Sequence, residues 1–126
     1  MKKLTDSLGH AIDGIIYCIK TQKNMRTHIT AAVMVMMASI FLKLSRIEIL
    51  ILCLVIAFVI VCEMFNTAIE KAIDINVKEY NPLAKVSKDV AAGAVLVSAI
   101  CSIAIGYLLF ANKIKFIIKA ILNILL

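Results

Sequence analysis

Glu63, Asn66, Glu70 and Asp74 fall in the stretch CEMFNTAIEKAID, directly after a long run of apolar residues. On a helix turning 100° per residue they lie at about 0°, −60°, −20° and +20°, a single column along one face. A carboxylate placed in hydrocarbon costs roughly 2.5 to 3.5 kcal/mol even on the lenient insertion scale, so a column this costly should face protein or a ligand. Carboxylates graded from dry to wet can hold a cation and phosphate at the wet end and meet a lipid headgroup at the dry end. Asp74 alone is equally well read as an acidic residue facing water at a helix end. Glu63 is different, because Val59, Ile60, Val61, Cys62, Met64 and Phe65 surround it in sequence. A general base is a carboxylate whose proton affinity is tuned by such surroundings.

A second polar constellation is SKDVAAGAV, residues 87–95. Ser87 or Asp89 could cap a helix that starts there. The functional alternative is a phosphate site, built from a helix N-terminus with free N–H groups and Lys88 beside it. Gly93, with Ala91, Ala92 and Ala94, would let another helix or a ligand approach closely. Gly9 and Gly14 have the spacing of a phosphate-binding P-loop, but Ile15 and Ile16 follow where Lys and Ser or Thr are required. The HRD and DFG signatures of protein kinases are absent as well.

The elements that position these residues follow from composition. The 126 residues are 63% hydrophobic, with a mean hydropathy of +1.00, which implies one small membrane-embedded domain. The net charge of +6 is carried by residues flanking apolar runs, where anionic headgroups attract them, and no nucleic-acid partner is expected. Cys18, Cys53, Cys62 and Cys101 make no CxxC pair and read as small buried hydrophobes. No removable signal peptide is evident, since Asp6, His10 and Asp13 interrupt the start.

Leu4, Leu8, Ile12, Ile15, Ile16 and Ile19 recur at spacings of three and four, the mark of an amphipathic surface helix. With the polar segment KTQKNMRTH it occupies residues 1–28. Three spans are expected at 29–44, 47–75 and 90–111, joined by a tight loop and by a polar connection at 76–88. The second, about 40 Å long, should project into water at its far end. Residues 113–126 form a separate amphipathic tail with Lys113, Lys115 and Lys119. With three crossings, the N-terminal segment and the 71–89 region share one side and hold nine of the fourteen basic residues, which predicts that this side is cytoplasmic.

EMFNTAIEKAID (63–74), KEYNPLAKVSKDVAAGAV (78–95) and the three-span hydropathy together resemble the small prokaryotic diacylglycerol kinases and the related undecaprenol kinases. The resemblance covers all but about the last ten residues. It implies an all-α homotrimer in the bacterial cell membrane, with a surface helix, three transmembrane helices per subunit and shared cytoplasmic active sites. The implied reaction moves the γ-phosphate of ATP, with Mg2+, to the primary hydroxyl of a membrane lipid alcohol. Under that resemblance Glu63 is the general base, Asn66 organises the site and Glu70 is a magnesium ligand. Lys88 and Asp89 contact ATP, with Glu79, Tyr80 and Asn81 contributing. Arg26 lies near the lipid substrate, as does Ala92.

Two positions depart from the family pattern. Gln22 stands where a second metal-binding glutamate is usual, so weaker metal binding is expected. His10 replaces an aromatic residue often found near the nucleotide, which alters the adenosine contact. KTQKNMRTH and NPLAK look more like the Gram-positive branch and favour undecaprenol over diacylglycerol. The competing reading is a catalytically silent oligomeric membrane protein or ion-conducting bundle that uses the polar column for helix association.

Overall fold

The computed structural model describes residues 2–125, and the described chain is helical from end to end apart from three short breaks. Helix α1 runs Lys2–Thr21, α2 Lys23–Phe41, α3 Arg46–Asn76 and α4 Pro82–Leu125. Among the described residues two helices, α3 and α4, are long and apolar enough to cross a membrane. Helix α2 carries Lys23, Arg26 and His28 in its first turns, leaving an apolar stretch of about 20 Å from Ile29 to Phe41.

Three boundaries differ from the sequence expectation. The polar segment at 20–28 is not a linker: Gln22 alone is extended (φ −101°, ψ 120°), and α2 begins at once with Lys23. Charged residues are good helix formers, so polarity there marks the water side of a helix. Helix α4 begins at Pro82 rather than near residue 90, because Asn81 Oδ1 accepts from the backbone N–H groups of Leu83 and Ala84 at 2.9 and 3.2 Å. Asn before Pro is a strong helix start: the side chain satisfies orphan donors and proline needs none. The 113–125 tail continues α4 instead of forming a separate piece, since no glycine or proline interrupts it.

The α2–α3 turn is held by a capping box. Ser45 Oγ accepts from Glu48 N at 3.3 Å, and Glu48 Oε2 accepts from Ser45 N at 2.6 Å. Just before it Lys43 takes a left-handed conformation (φ 51°), with Leu44 N donating to Ser39 O at 3.0 Å to close the end of α2.

Helices α3 and α4 pack antiparallel, with an ion pair at each end. Lys88 Nζ meets Asp74 Oδ1 at 2.5 Å, and Lys113 Nζ lies 3.6 Å from Glu48 Oε2. The two pairs are separated by about 39 Å of α3 and about 38 Å of α4, so the helices run in step along their length. The less exposed positions of α3 (Leu52, Ile56, Val59, Glu63, Asn66, Glu70, Ile73) and of α4 (Lys88, Ala91, Val95, Ser98, Ser102, Ile105, Leu109) recur alternately every four and three residues. That period is the seam of a left-handed helix pair. The rest of the apolar surface stays open: Leu4, Leu8 and Ile12 of α1 are more than half exposed, as are Ile103 and Leu108 of α4. Exposed apolar faces on this scale belong against lipid or a protein partner. Of the four free cysteines, Cys18 is buried and Cys62 half-buried, but Cys53 and Cys101 are exposed on such faces, contrary to expectation.

Candidate active site

The polar column lies inside the α3–α4 seam. Glu63 is 2% exposed and Asn66 7% exposed, whereas Glu70 is half-buried and Asp74 open to water. The gradient from dry to wet expected of the four residues is therefore present, over about 16 Å of helix. Register along the seam brings Ser98 to the level of Glu63 and Ala91 to that of Glu70. Ser98 is 1% exposed and turns its hydroxyl to Val95 O at 2.8 Å, so it closes over the column without claiming the carboxylate.

Two acceptors in this seam have no hydrogen-bond partner among the described residues: Glu63 Oε2 and Asn66 Oδ1. Burying such groups unsatisfied is costly, and buried acceptors without partners are where a donor or cation from a ligand would bind. Around them the scaffold is satisfied. Asn66 Nδ2 donates to Glu70 Oε1 at 3.1 Å, which also fixes which end of the Asn66 amide faces Glu70. Buried Thr67 donates its hydroxyl to Glu63 O at 2.9 Å. At the wet end Lys88 reaches across from α4 to Asp74 and joins the second constellation to the first.

Comparison with known proteins follows the same residues. The family model for prokaryotic diacylglycerol kinase matches residues 9–110. The chain belongs to that family. It is 39% identical over 113 residues to an undecaprenol kinase of Bacillus subtilis, covering 90% of this chain and 92% of that one. It is 40% identical over 101 residues to a diacylglycerol kinase of Synechocystis, covering 79% of this chain and 58% of that longer protein. A diacylglycerol kinase of Helicobacter pylori is 30% identical over 99 residues, 79% and 77% of the two chains.

Within this prokaryotic diacylglycerol kinase family member, the other expected site residues fall into two groups. Glu70, Asn66, Glu63 and Lys88 share the seam. Asp89 faces away from it and pairs with Lys85 at 2.7 Å on the exposed side of α4. Glu79 and Tyr80 are exposed in the connection, and Asn81 is engaged as the cap of α4. His10 and Ala92 are exposed, on α1 and α4. Gln22 is half-buried at the α1–α2 break, where its amide donates to Thr21 Oγ1 at 3.3 Å. Arg26 donates to Lys20 O at 3.3 Å across the same break.

The phosphate site expected at a helix N-terminus around Ser87–Asp89 is corrected by the position of α4. These residues lie more than a turn inside the helix, and Ser87 spends its hydroxyl on Leu83 O at 2.9 Å. Free N–H groups are therefore not available at 87–89, which leaves the Lys88 ammonium, paired with Asp74, as the cation of that stretch. Close approach at Gly93 is not used within the chain, since an added Cβ there would meet no atom within 4 Å among the described residues.

Sequence reasoning missed His28. It is half-buried on α2 and lines the apolar cavity between α2, α3 and α4 together with Ala32, Val35 and Val59. The signal was present: His28 shares a helix face with Ala32 and Val35, at i+4 and i+7, where a core-facing residue belongs. Among the described residues no group of three His, Cys, Asp or Glu side chains forms a ready metal cage.

Proposed function

We propose that the protein is an ATP- and Mg2+-dependent lipid kinase that phosphorylates the primary hydroxyl of a membrane lipid alcohol, with undecaprenol preferred over diacylglycerol. The observation that carries this reading is the Glu63 carboxylate, 2% exposed, with Oε2 lacking a partner among the described residues. A buried carboxylate with a vacant acceptor can take the proton of a hydroxyl brought to it, which is the role of a general base. The resemblance of nearly the full chain to an undecaprenol kinase supports the choice of alcohol.

Phosphoryl transfer requires alignment and charge neutralisation more than covalent help. Magnesium bound with a nucleotide takes one or two carboxylates and completes its shell with phosphate oxygens and water. Glu70, held by Asn66, fits that donor set, with Gln22 as a neutral second ligand. When bound, the metal would neutralise charge on the transferring phosphate. The chain's own residues do the rest. Asn66 orients Glu70, Lys88 supplies a cation to the phosphates, and Glu63 accepts the alcohol's proton. Asp89, Glu79, Tyr80, Asn81 and His10 are assigned to the nucleotide, and Arg26 and Ala92 to the lipid.

In this reading α2 is the third crossing, shortened at its wet end by Lys23 and Arg26. The N-terminus and the column's wet end face the cytoplasm of a bacterium, and a trimer with shared sites covers the exposed apolar faces. The test is to offer undecaprenol and dioleoylglycerol side by side, with γ-labelled ATP, to the purified protein in detergent micelles. Labelled undecaprenyl phosphate as the main product supports the proposal; no labelled lipid with either alcohol contradicts it.

A further inference from the structure

Helix α4 does not stop where the family match stops. That match ends at residue 110, while α4 runs on to Leu125 and, at 44 residues, is about 66 Å long, more than twice the roughly 30 Å of a hydrocarbon core. Lys113 pairs with Glu48 in the first turn of α3 at 3.6 Å, so by the antiparallel register Lys115 is level with Arg46, the first residue of α3. Among the described residues α3 is the only helix whose backbone approaches α4. Residues 116–125 therefore continue about 15 Å past the helix pair with no helix of the chain beside them.

This extension sets one basic stripe against exposed apolar residues. Counted from Lys115, Lys119 and Asn123 lie at about 40° and 80° around the helix, whereas Ile118, Ile114 and Ile121 lie at about −60°, −100° and −120°. Phe116, Ile118, Ile121 and Leu122 are all more than half exposed. Residues 111–126 contain three lysines and no acidic residue, and among the described residues no carboxylate pairs with Lys115 or Lys119. Water would leave the isoleucines uncovered, and the same tail of a second copy would bring lysines against lysines. An anionic lipid surface answers both: the apolar side chains enter the acyl boundary, and the lysine stems carry their ammonium groups up to phosphate. A helix this much longer than the hydrocarbon core tilts or bends, which lays its overhang along the headgroups.

We propose that residues 114–125 form a docking surface for anionic phospholipid headgroups in the leaflet at the α2–α3 turn, with Lys115 and Lys119 as the phosphate contacts. This surface lies at the opposite end of α3 from Glu70, so it anchors the outer end of α4 and takes no part in phosphate transfer.

The chain has no tryptophan, so Phe116→Trp gives the full-length protein a single reporter in the tail. This variant is reconstituted into vesicles that mix phosphatidylcholine with phosphatidylglycerol, with bromines on the acyl chains of one lipid at a time. Quenching of the tryptophan reads the relative affinity of the two lipids at that position. Phosphatidylglycerol should be favoured about fivefold or more, the contribution of at least one lysine near charged headgroups. Adding Lys115→Gln and Lys119→Gln should bring the ratio close to one, and molar salt should lower it as well. Equal quenching by the two lipids overturns the proposal, as does a preference that survives the double substitution. Absence of quenching by either lipid overturns it too, and an emission that then changes on diluting the protein in lipid would show a second copy covering the tail.

Discussion

Lys88 on α4 donates to Asp74 on α3 across 2.5 Å, and this contact brings the two polar stretches of the sequence to one end of the helix pair. Both side chains remain partly open to water, at 39% and 49%. Exposed pairs of this kind add little to stability. Lys88→Met is therefore expected to leave the melting temperature nearly unchanged and to raise the KM for ATP tenfold or more by removing a cation from the phosphates. A lowered melting temperature with an unaltered KM would make the pair structural only.

Asn66 holds Glu70 through a single hydrogen bond at 3.1 Å. Asn66→Leu should release the carboxylate and raise the Mg2+ concentration needed for half-maximal activity. Magnesium titrations of activity read this directly, and an unshifted midpoint would remove Asn66 from the metal's surroundings.

Gln22→Glu should act in the opposite direction. A second carboxylate adds the charge that the glutamine carbonyl lacks, so the magnesium midpoint should fall. If it does not move, residue 22 does not reach the metal.

Lys43 is strained by its left-handed backbone, a conformation costing a non-glycine residue roughly 1 to 2 kcal/mol. Part of this is offset by the extra unfolded-state entropy of glycine, so Lys43→Gly should stabilise the protein by about 0.5 to 1 kcal/mol. Activity should be unaffected, because the α2–α3 turn is at the opposite end of α3 from Glu70. Thermal unfolding in micelles measures the first expectation and a transfer assay the second.

The column on α3 was legible because helical period and apolar context are both local, and Glu63, Asn66 and Glu70 lie on one uninterrupted helix. The starts of α2 and α4 were not. At Lys23 the charged residues suggested a linker, although they favour helix, and at Asn81–Pro82 a capping signal was absorbed into a connection. That second misreading moved the helix N-terminus to Ser87 and created a phosphate site from N–H groups that are already bonded. His28 carried a local signal, its i+4 and i+7 spacing to Ala32 and Val35, but the cavity it lines comes from the packing of α2 against α3 and α4. The family resemblance pairs Asp89 with Lys88 as ATP contacts; on the helix the two lie 100° apart, so Asp89 sits on the outer face with Lys85 while Lys88 lies in the seam.

The most direct measurement compares ATP-dependent phosphate transfer to undecaprenol by the wild-type protein and Glu63→Gln, under matched folding by thermal unfolding. Removing the proton acceptor should cut the rate about 10² to 10⁴-fold. The melting temperature should hold or rise, because a buried carboxylate lacking a partner becomes a neutral amide. Transfer by Glu63→Gln at the wild-type rate would contradict the assignment of the buried carboxylate as the base.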